Sequence, residues 1–329
     1  MLARIGTPLL LILATLAAVP AAQAADLQRV KLLVNYTLFG RHAPLFLGSD
    51  KGFYKEAGFE VEILPSTGSG FVNTAIDAGK ADYAVTDASV LVKSIAKGAQ
   101  IKAFGAFMDV SANGLASLQP IPTPQSLIGK NIAAAVTDSS RVVLPIIFSQ
   151  KGLDASKLQW QAADPSTYFS LLLSGRVDVI AAAMDADRPA LTRAATAQGK
   201  QVSFAAFADW GYDSFGLFLI TQSERIAKRP DQARAFLMAT KKSVEYALTH
   251  PEEAAHAMVN ANSTMNYDLV LAQWKAAAVA MQTPFVKVHG FGAVTTDRLR
   301  HTIQLARTAL QIDQEITPSQ IFADSFVTP

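Results

Sequence analysis

The sequence predicts an α/β fold of two lobes, each a mainly parallel sheet flanked by helices, with a ligand cleft between them. Three observations carry that prediction. Apolar, β-prone runs alternate with helical runs twice over, each time as strand, helix, strand, helix closed by glycine, then strand. Pro120, Pro122 and Pro124 interrupt the pattern between the two runs. Behind a removable leader, about 305 of the 329 residues remain, enough for two domains.

In chain order, residues 31–36 are apolar and β-prone and 43–57 are helical, opened by Pro44 in a first turn that tolerates it. Residues 60–64 make a strand, 71–78 a helix ended by Gly79, 83–86 a strand, 88–97 a helix stopped by Gly98, and 101–107 a strand. Strands separated by helices imply right-handed crossover units. After the prolines come a strand at 131–136, a helix at 140–150 and a strand at 160–162. A helix at 168–173 capped by Gly175, a strand at 177–182, a helix at 188–197 and strands at 202–207 and 215–221 follow. From Ser223 onward the chain reads as helical, at 230–250, 251–259, 267–282 and 295–310. The expected division is a first lobe of 25–117 and 214–329, its helical end packed on its sheet, with 118–213 as the second lobe.

Composition narrows the function. Arg4, the apolar run 9–19 and Ala22-Gln23-Ala24 read as a secretory signal over 1–24, leaving Ala25 first in the mature chain. That apolar run is short for a bilayer, so no direct membrane insertion is expected, and the signal points to export to a bacterial periplasm. Zero cysteines exclude a lipid anchor on cysteine, disulfides, thiolate metal sites and thiol catalysis. The five histidines lack ligand spacing, so no metal site is expected. A net charge of +2, with no basic clusters, gives no support to nucleic acid as a partner.

Candidate binding residues fall where strands hand over to helices, the place where open α/β sheets bind ligands. Tyr36, Phe39 and His42 form the first group; packing at the loop would serve them equally. Ser66, Gly68, Ser69 and Gly70 precede a helix, where backbone N–H groups can receive an anion or a carbonyl. Thr137, Asp138 and Ser139 hold the equivalent place in the second run and would face the first turn across a cleft. Asp87, Asp185 and Arg188 also lie just past strands, with solvated helix caps as the plain alternative. Trp210, Tyr212 and Asp213 make an aromatic, polar return between lobes, able to sandwich a ring or to pack a hinge. No Ser/His/Asp order, carboxylate pair or metal spacing marks a catalytic centre or calls for a cofactor.

Four stretches carry a resemblance: Asn35-Tyr36 with His42 and Pro44; residues 51–59; Gly79-Lys80-Ala81-Asp82-Tyr83; and the helix 236–247 followed by His250-Pro251. Through them the chain resembles the NMT1/THI5-like (SsuA/THI5-like) family of periplasmic substrate-binding proteins of ABC importers, relatives of the alkanesulfonate and nitrate binders. The resemblance implies the two-lobed type II binding-protein fold, closing like a hinge, with a small-molecule ligand, permease and ATPase subunits as partners, and a monomer. The family also includes an enzyme that makes the thiamin pyrimidine from its own histidine and bound pyridoxal phosphate. Where that enzyme has its cofactor-holding lysine this chain has Thr86; the donor histidine is Val90, and the cysteine-rich motif is Tyr212-Asp213-Ser214-Phe215-Gly216. The resemblance therefore implies binding without catalysis. Its thiamin-precursor binders often stack a tryptophan where Tyr36 stands. With Asp87, Asp138, Asp185 and Asp213 nearby, a small aromatic or N-heterocyclic ligand is expected; Arg41, Arg141 and Arg188 keep a sulfonate, nitrate or other organic anion open.

Overall fold

The structure, a computed structural model, describes residues 27–326. The expected signal over 1–24 and the mature start at Ala25 lie outside the described residues. Among the described residues ten strands form two five-stranded sheets. The first sheet holds β1 (Gln28–Leu33), β2 (Phe59–Leu64), β3 (Tyr83–Asp87) and β4 (Ile101–Met108). The second holds β5 (Asn113–Ser117), β6 (Asn131–Ala133), β7 (Gln159–Gln161), β8 (Val179–Ala183) and β9 (Ser203–Ala206); β10 (Leu217–Gln222) returns to the first.

The spatial orders are β2-β1-β3-β10-β4 and β7-β6-β8-β5-β9. β1 pairs in parallel with β2 and β3, and β10 runs antiparallel to both β3 and β4. β6 likewise pairs in parallel with β7 and β8, and β5 runs antiparallel to β8 and β9. Four strands of each sheet thus share a direction and one opposes them. The opposing strand is in each case the first one laid down after the chain has crossed from the other sheet. The crossings fall between Met108 and Asn113 and between Ala206 and Leu217. The expected break after residue 117 is therefore too late: β5, an Asn-Gly-Leu-Ala-Ser run with no β-branched residue, belongs to the second sheet because it is held by pairing on both sides. The proline cluster lies within the second half, joining β5 to β6.

Two boundaries moved for local reasons. The first strand ends at Leu33, so Asn35 and Tyr36 leave the sheet after Val34 N–H donates to the Leu64 carbonyl at 3.0 Å. The single helix expected over 43–57 is two, Ala43–Asp50 and Phe53–Glu56, broken by Gly52 at φ +74°. A short helix Pro284–His289 joins the C-terminal set.

The helix Pro230–Thr249 sends fully buried Phe236 under the first sheet, where its ring stacks on Tyr83 at 4.0 Å and 15°. Tyr54, Phe59 and Phe104 surround it. Burying a large apolar side chain of this kind stabilises by about 1.5–3 kcal/mol. The helix Tyr267–Ala280 touches both halves, packing on the Gly40–His42 turn and on the helix Asp187–Thr196. No helix among the described residues is long and apolar enough to cross a membrane.

Candidate functional site

The carboxyl ends of the co-directed strands in both sheets point at one cavity. Its wall on the first sheet comes from the loops after β1 and β2, and on the second from the loops after β6 and β8 and the start of β5. Asn35, Tyr36, Phe39, Arg41, Gly68, Ser69, Asn113, Asp138, Ser139, Ser140, Ala181, Ala182, Ala183 and Asp187 line it. The cavity volume is about 30 Å³. The walls are drawn together, and a ring needs them to part slightly.

Contacts across the seam keep them so. At one edge Gly70 N–H donates to the Thr137 carbonyl at 3.1 Å, and the Thr137 hydroxyl donates to the Thr67 carbonyl at 3.1 Å. In the middle, the Asn113 amide donates across the seam to Asp87 at 3.2 Å and, within its own half, to the Ser139 hydroxyl at 3.1 Å. At the other edge Arg41 grips Asp185 at two points, Nε–Oδ2 at 2.6 Å and Nη2–Oδ1 at 2.5 Å. Beside that pair Gln273 accepts from Gly40 N–H and donates to the Ala186 carbonyl, both at 2.9 Å, tying the C-terminal helix to both halves.

Of the expected residues, the cavity collects Tyr36, Phe39, Gly68, Ser69, Asp138 and Ser139. Tyr36 is half-buried and faces Tyr168 of the opposite half, ring centroids 6.4 Å apart and tilted by 45°. Burial, reinforced by Asp138 and Tyr168, pushes its hydroxyl far above the ordinary range, so it stays a neutral phenol. Asp138 accepts from Ser140 N–H at 2.8 Å and from the Tyr168 hydroxyl at 3.4 Å, and burial raises its pKa.

Most of the remaining expected residues serve the frame, and Arg188 and Asp213 face outward. His42 does not line the cavity: it is fully buried, and burial, with Arg41 beside it, holds its pKa well below the usual imidazole value. Its Nδ1 accepts from Phe39 N–H at 3.4 Å, so the proton sits on Nε2, which donates to Asn35 Oδ1 at 3.3 Å. Ser66 accepts from Gly68 N–H, and Gly70 spends its N–H on Thr137 rather than on a ligand. Asp87 is a buried N-cap, accepting from Ser89 N–H at 2.9 Å and Val90 N–H at 3.3 Å. Asp185 is taken by Arg41. Arg188 points outward, its guanidinium 5.4 Å from the Phe204 ring centroid. Trp210 donates to the Pro122 carbonyl at 3.2 Å, Tyr212 shares a hydrogen with Ser89 at 2.5 Å, and Asp213 is exposed. The aromatic return is thus packing in the crossing segment, not a cavity wall, because its rings turn into the core.

Asn35, Asn113, Ser140, Ala181–Ala183 and Asp187 were not expected as wall, and Arg41, named only as a group that could hold an anion, lines it too. Asp187 accepts from Ala183 N–H at 2.6 Å through Oδ2, and its Oδ1 has no hydrogen bond among the described residues. Burial pushes its carboxyl up to about 7, opposed by the Ala183 N–H and reinforced by Asp185. Asp187 stands two residues past Asp185 in the sequence, but it opens the helix Asp187–Thr196, so the two carboxylates do not share a side as they would on a strand.

Residues 40–254 match the family described as NMT1/THI5 like. The chain belongs to that family. Its curated relatives include 4-amino-5-hydroxymethyl-2-methylpyrimidine phosphate synthases. That of Saccharomyces cerevisiae is 23% identical over 271 residues, 79% of each chain, and that of Schizosaccharomyces pombe 25% over 259 residues, 73% and 72% of the two chains. Among solved structures, a protein of Bordetella bronchiseptica superposes with TM-score 0.69 at 19% identity over 92% of this chain and 97% of that one. The ligand-binding component of an ABC-type import system from Staphylococcus aureus gives 0.67 at 15% over 91% and 97%. The alkanesulfonate-binding protein of Xanthomonas axonopodis gives 0.65 at 12% over 93% and 99%. These likenesses establish the two-lobed type II binding-protein fold.

They also correct one expectation. The chain was expected to be no enzyme, and the curated relatives carrying the family's sequence are named as synthases. Pyridoxal phosphate itself does not fit the matched position: Thr86 is fully buried with no hydrogen-bond partner at Oγ1 and has no amine to hold an aldehyde.

Proposed function

We propose that this NMT1/THI5-like chain captures a small N-heterocycle, of the thiamin-precursor pyrimidine kind, in the cavity between its two sheets. It would serve there as the periplasmic solute-binding component of an ABC importer, a monomer handing its ligand to permease and ATPase subunits. One observation carries the reading: the cavity offers a flat ring with both a donor and an acceptor beside it. Tyr36 supplies the ring. His42 fixes the Asn35 amide by donating to its oxygen, which leaves the Asn35 N–H₂ without a hydrogen bond among the described residues. Asp187 Oδ1 is the acceptor. An aminopyrimidine edge carries the complementary pair, an N–H donor next to a ring nitrogen acceptor.

The type II fold and the importer component among its structural neighbours support the transport role. A thermal-shift panel of aminopyrimidines, aromatic acids, sulfonates and nitrate tests it. A ligand at a hundredfold excess over Kd stabilises by about 2.7 kcal/mol, and the aminopyrimidines are expected to give the largest shift. No shift with any of them removes the reading. The synthase names of the curated relatives favour a second reading, in which the bound pyrimidine is a product. Formation of 4-amino-5-hydroxymethyl-2-methylpyrimidine phosphate by the purified chain would establish it.

A further inference from the structure

Resting on that cleft reading, we infer that the cavity selects its heterocycle as a cation, with Asp187 as counter-charge, and that Asp185 makes it so by cancelling the charge of Arg41. The argument begins with the arginines, the groups that would hold an anion. Arg141 donates through Nε to the Ala135 carbonyl and through Nη2 to the Ala134 carbonyl, both at 2.9 Å, and lies over the Trp160 ring at 4.8 Å. Arg188 lines an outer groove, not the cavity. Arg41 alone of the three reaches the wall.

Its guanidinium is nevertheless committed. Nε and Nη2 form the planar fork that matches a carboxylate, and Asp185 fills it with the pair buried to 1% and 4% exposure. A sulfonate entering the cavity would have to displace a carboxylate already desolvated against Arg41. It would meet Asp138 and Asp187 on the facing wall as well. With Arg41 cancelled, the carboxyls of those two residues are the ionisable groups left on the lining, and a cationic ligand beside them favours their charged form. Asn35 adds an independent sign of a bound partner, for the residue is 8% exposed, lines the cavity and has an N–H₂ with no hydrogen bond among the described residues. A protonated amino-heterocycle presents N–H groups to Asp187 Oδ1 while its π-face lies on Tyr36.

Three probes of similar size separate charge from ring stacking: 4-aminopyridine, cationic at neutral pH; 4-methylaniline, neutral; and 4-aminobenzenesulfonate, anionic. By calorimetry on the full chain, the cation is expected to bind at least tenfold tighter than the neutral ring, with the anion undetected. Asp187→Asn keeps an oxygen for Ala183 N–H and should erase the tenfold preference, bringing the cation's affinity down to that of the neutral ring. Should that variant fail to fold, Asp138→Asn, which keeps an oxygen for Ser140 N–H, is expected to reduce the same preference. Asp185→Asn should leave Arg41 uncancelled and bring the anion into the measurable range. Ring binding with no charge preference, or with the anion favoured in the unmodified chain, overturns this inference and leaves the cleft reading standing. Binding of none of the three overturns both.

Discussion

Gly68 and Thr137 meet across the seam with no space for a side chain between them: a Cβ on Gly68 would stand 2.5 Å from the Thr137 carbonyl oxygen. Gly68 also caps the helix Ser69–Asp77 at φ +140°, outside the range that other residues adopt easily. The glycine that the sequence offered as a place for a ligand to approach is instead where the other half of the molecule approaches. Gly68→Ala is therefore expected to cost about 1–3 kcal/mol through its backbone and to hold the two halves apart. Small-angle scattering should show a larger radius for the variant with ligand present. A radius equal to that of the unmodified protein would mean that this contact does not limit closure.

Arg41 and Asp185 give the second prediction. Removing either partner of a buried pair strands the other, at a cost of about 3–5 kcal/mol, whereas replacing both with apolar residues is neutral or stabilising. Arg41→Met and Asp185→Leu singly should each lower the denaturation midpoint sharply, and the double variant should recover most of the loss. A double variant as unstable as the sum of the singles would show that the pair does not act as a unit.

Asp87 makes a pH prediction. Burial pushes its carboxyl up to about 7, against the pull of the Val90 and Ser89 N–H groups, while the unfolded chain titrates near 3.9, roughly the ordinary value. Between about pH 4 and 7 the folded state keeps a proton that the unfolded state has lost, so stability falls as pH rises through that window and levels off above it. Asp187 behaves alike. The Asp87 share is on the order of 4 kcal/mol at most. Urea denaturation across pH 4.5–7.5 should give a shallower fall for Asp87→Asn than for the unmodified chain. Superimposable slopes would remove Asp87 as the source.

Tyr36→Ala should weaken an aromatic ligand roughly tenfold, as expected when a stacked ring worth about 0.5–1.5 kcal/mol beyond its area is lost. Tyr36→Phe should bind nearly normally, since the face and not the phenol makes the contact. Equal affinities in calorimetry for Ala and Tyr would end the stacking role.

The two α/β runs were legible because buried strands and glycine-stopped helices leave a local pattern, and the helix Ser140–Gln150 is found where its periodicity put it, with Pro145 inside it. β5 was not legible, since nothing in Asn113–Ser117 prefers a strand; its neighbours make it one. The same limit governed the cavity. Tyr36 and Asp138 could be placed by standing after strands, but whether a loop residue faces ligand or core depends on partners far along the chain. His42 is turned inward by Asn35 and Phe39, Tyr212 by Ser89, and Asp185 by an arginine 144 positions away.

The reversed strand in the first sheet has a consequence for the order of assembly. β10 lies between β3 and β4, so those two strands have no partner on their facing edges until residues 217–222 join the folding chain. The second sheet, by contrast, is built wholly from residues 113–206 and can pair as soon as they emerge. The half of the molecule that begins first is thus the one that finishes last, with its sheet open along the centre in the meantime. Exposed strand edges invite mispairing, and the arrival of one six-residue strand closes both at once.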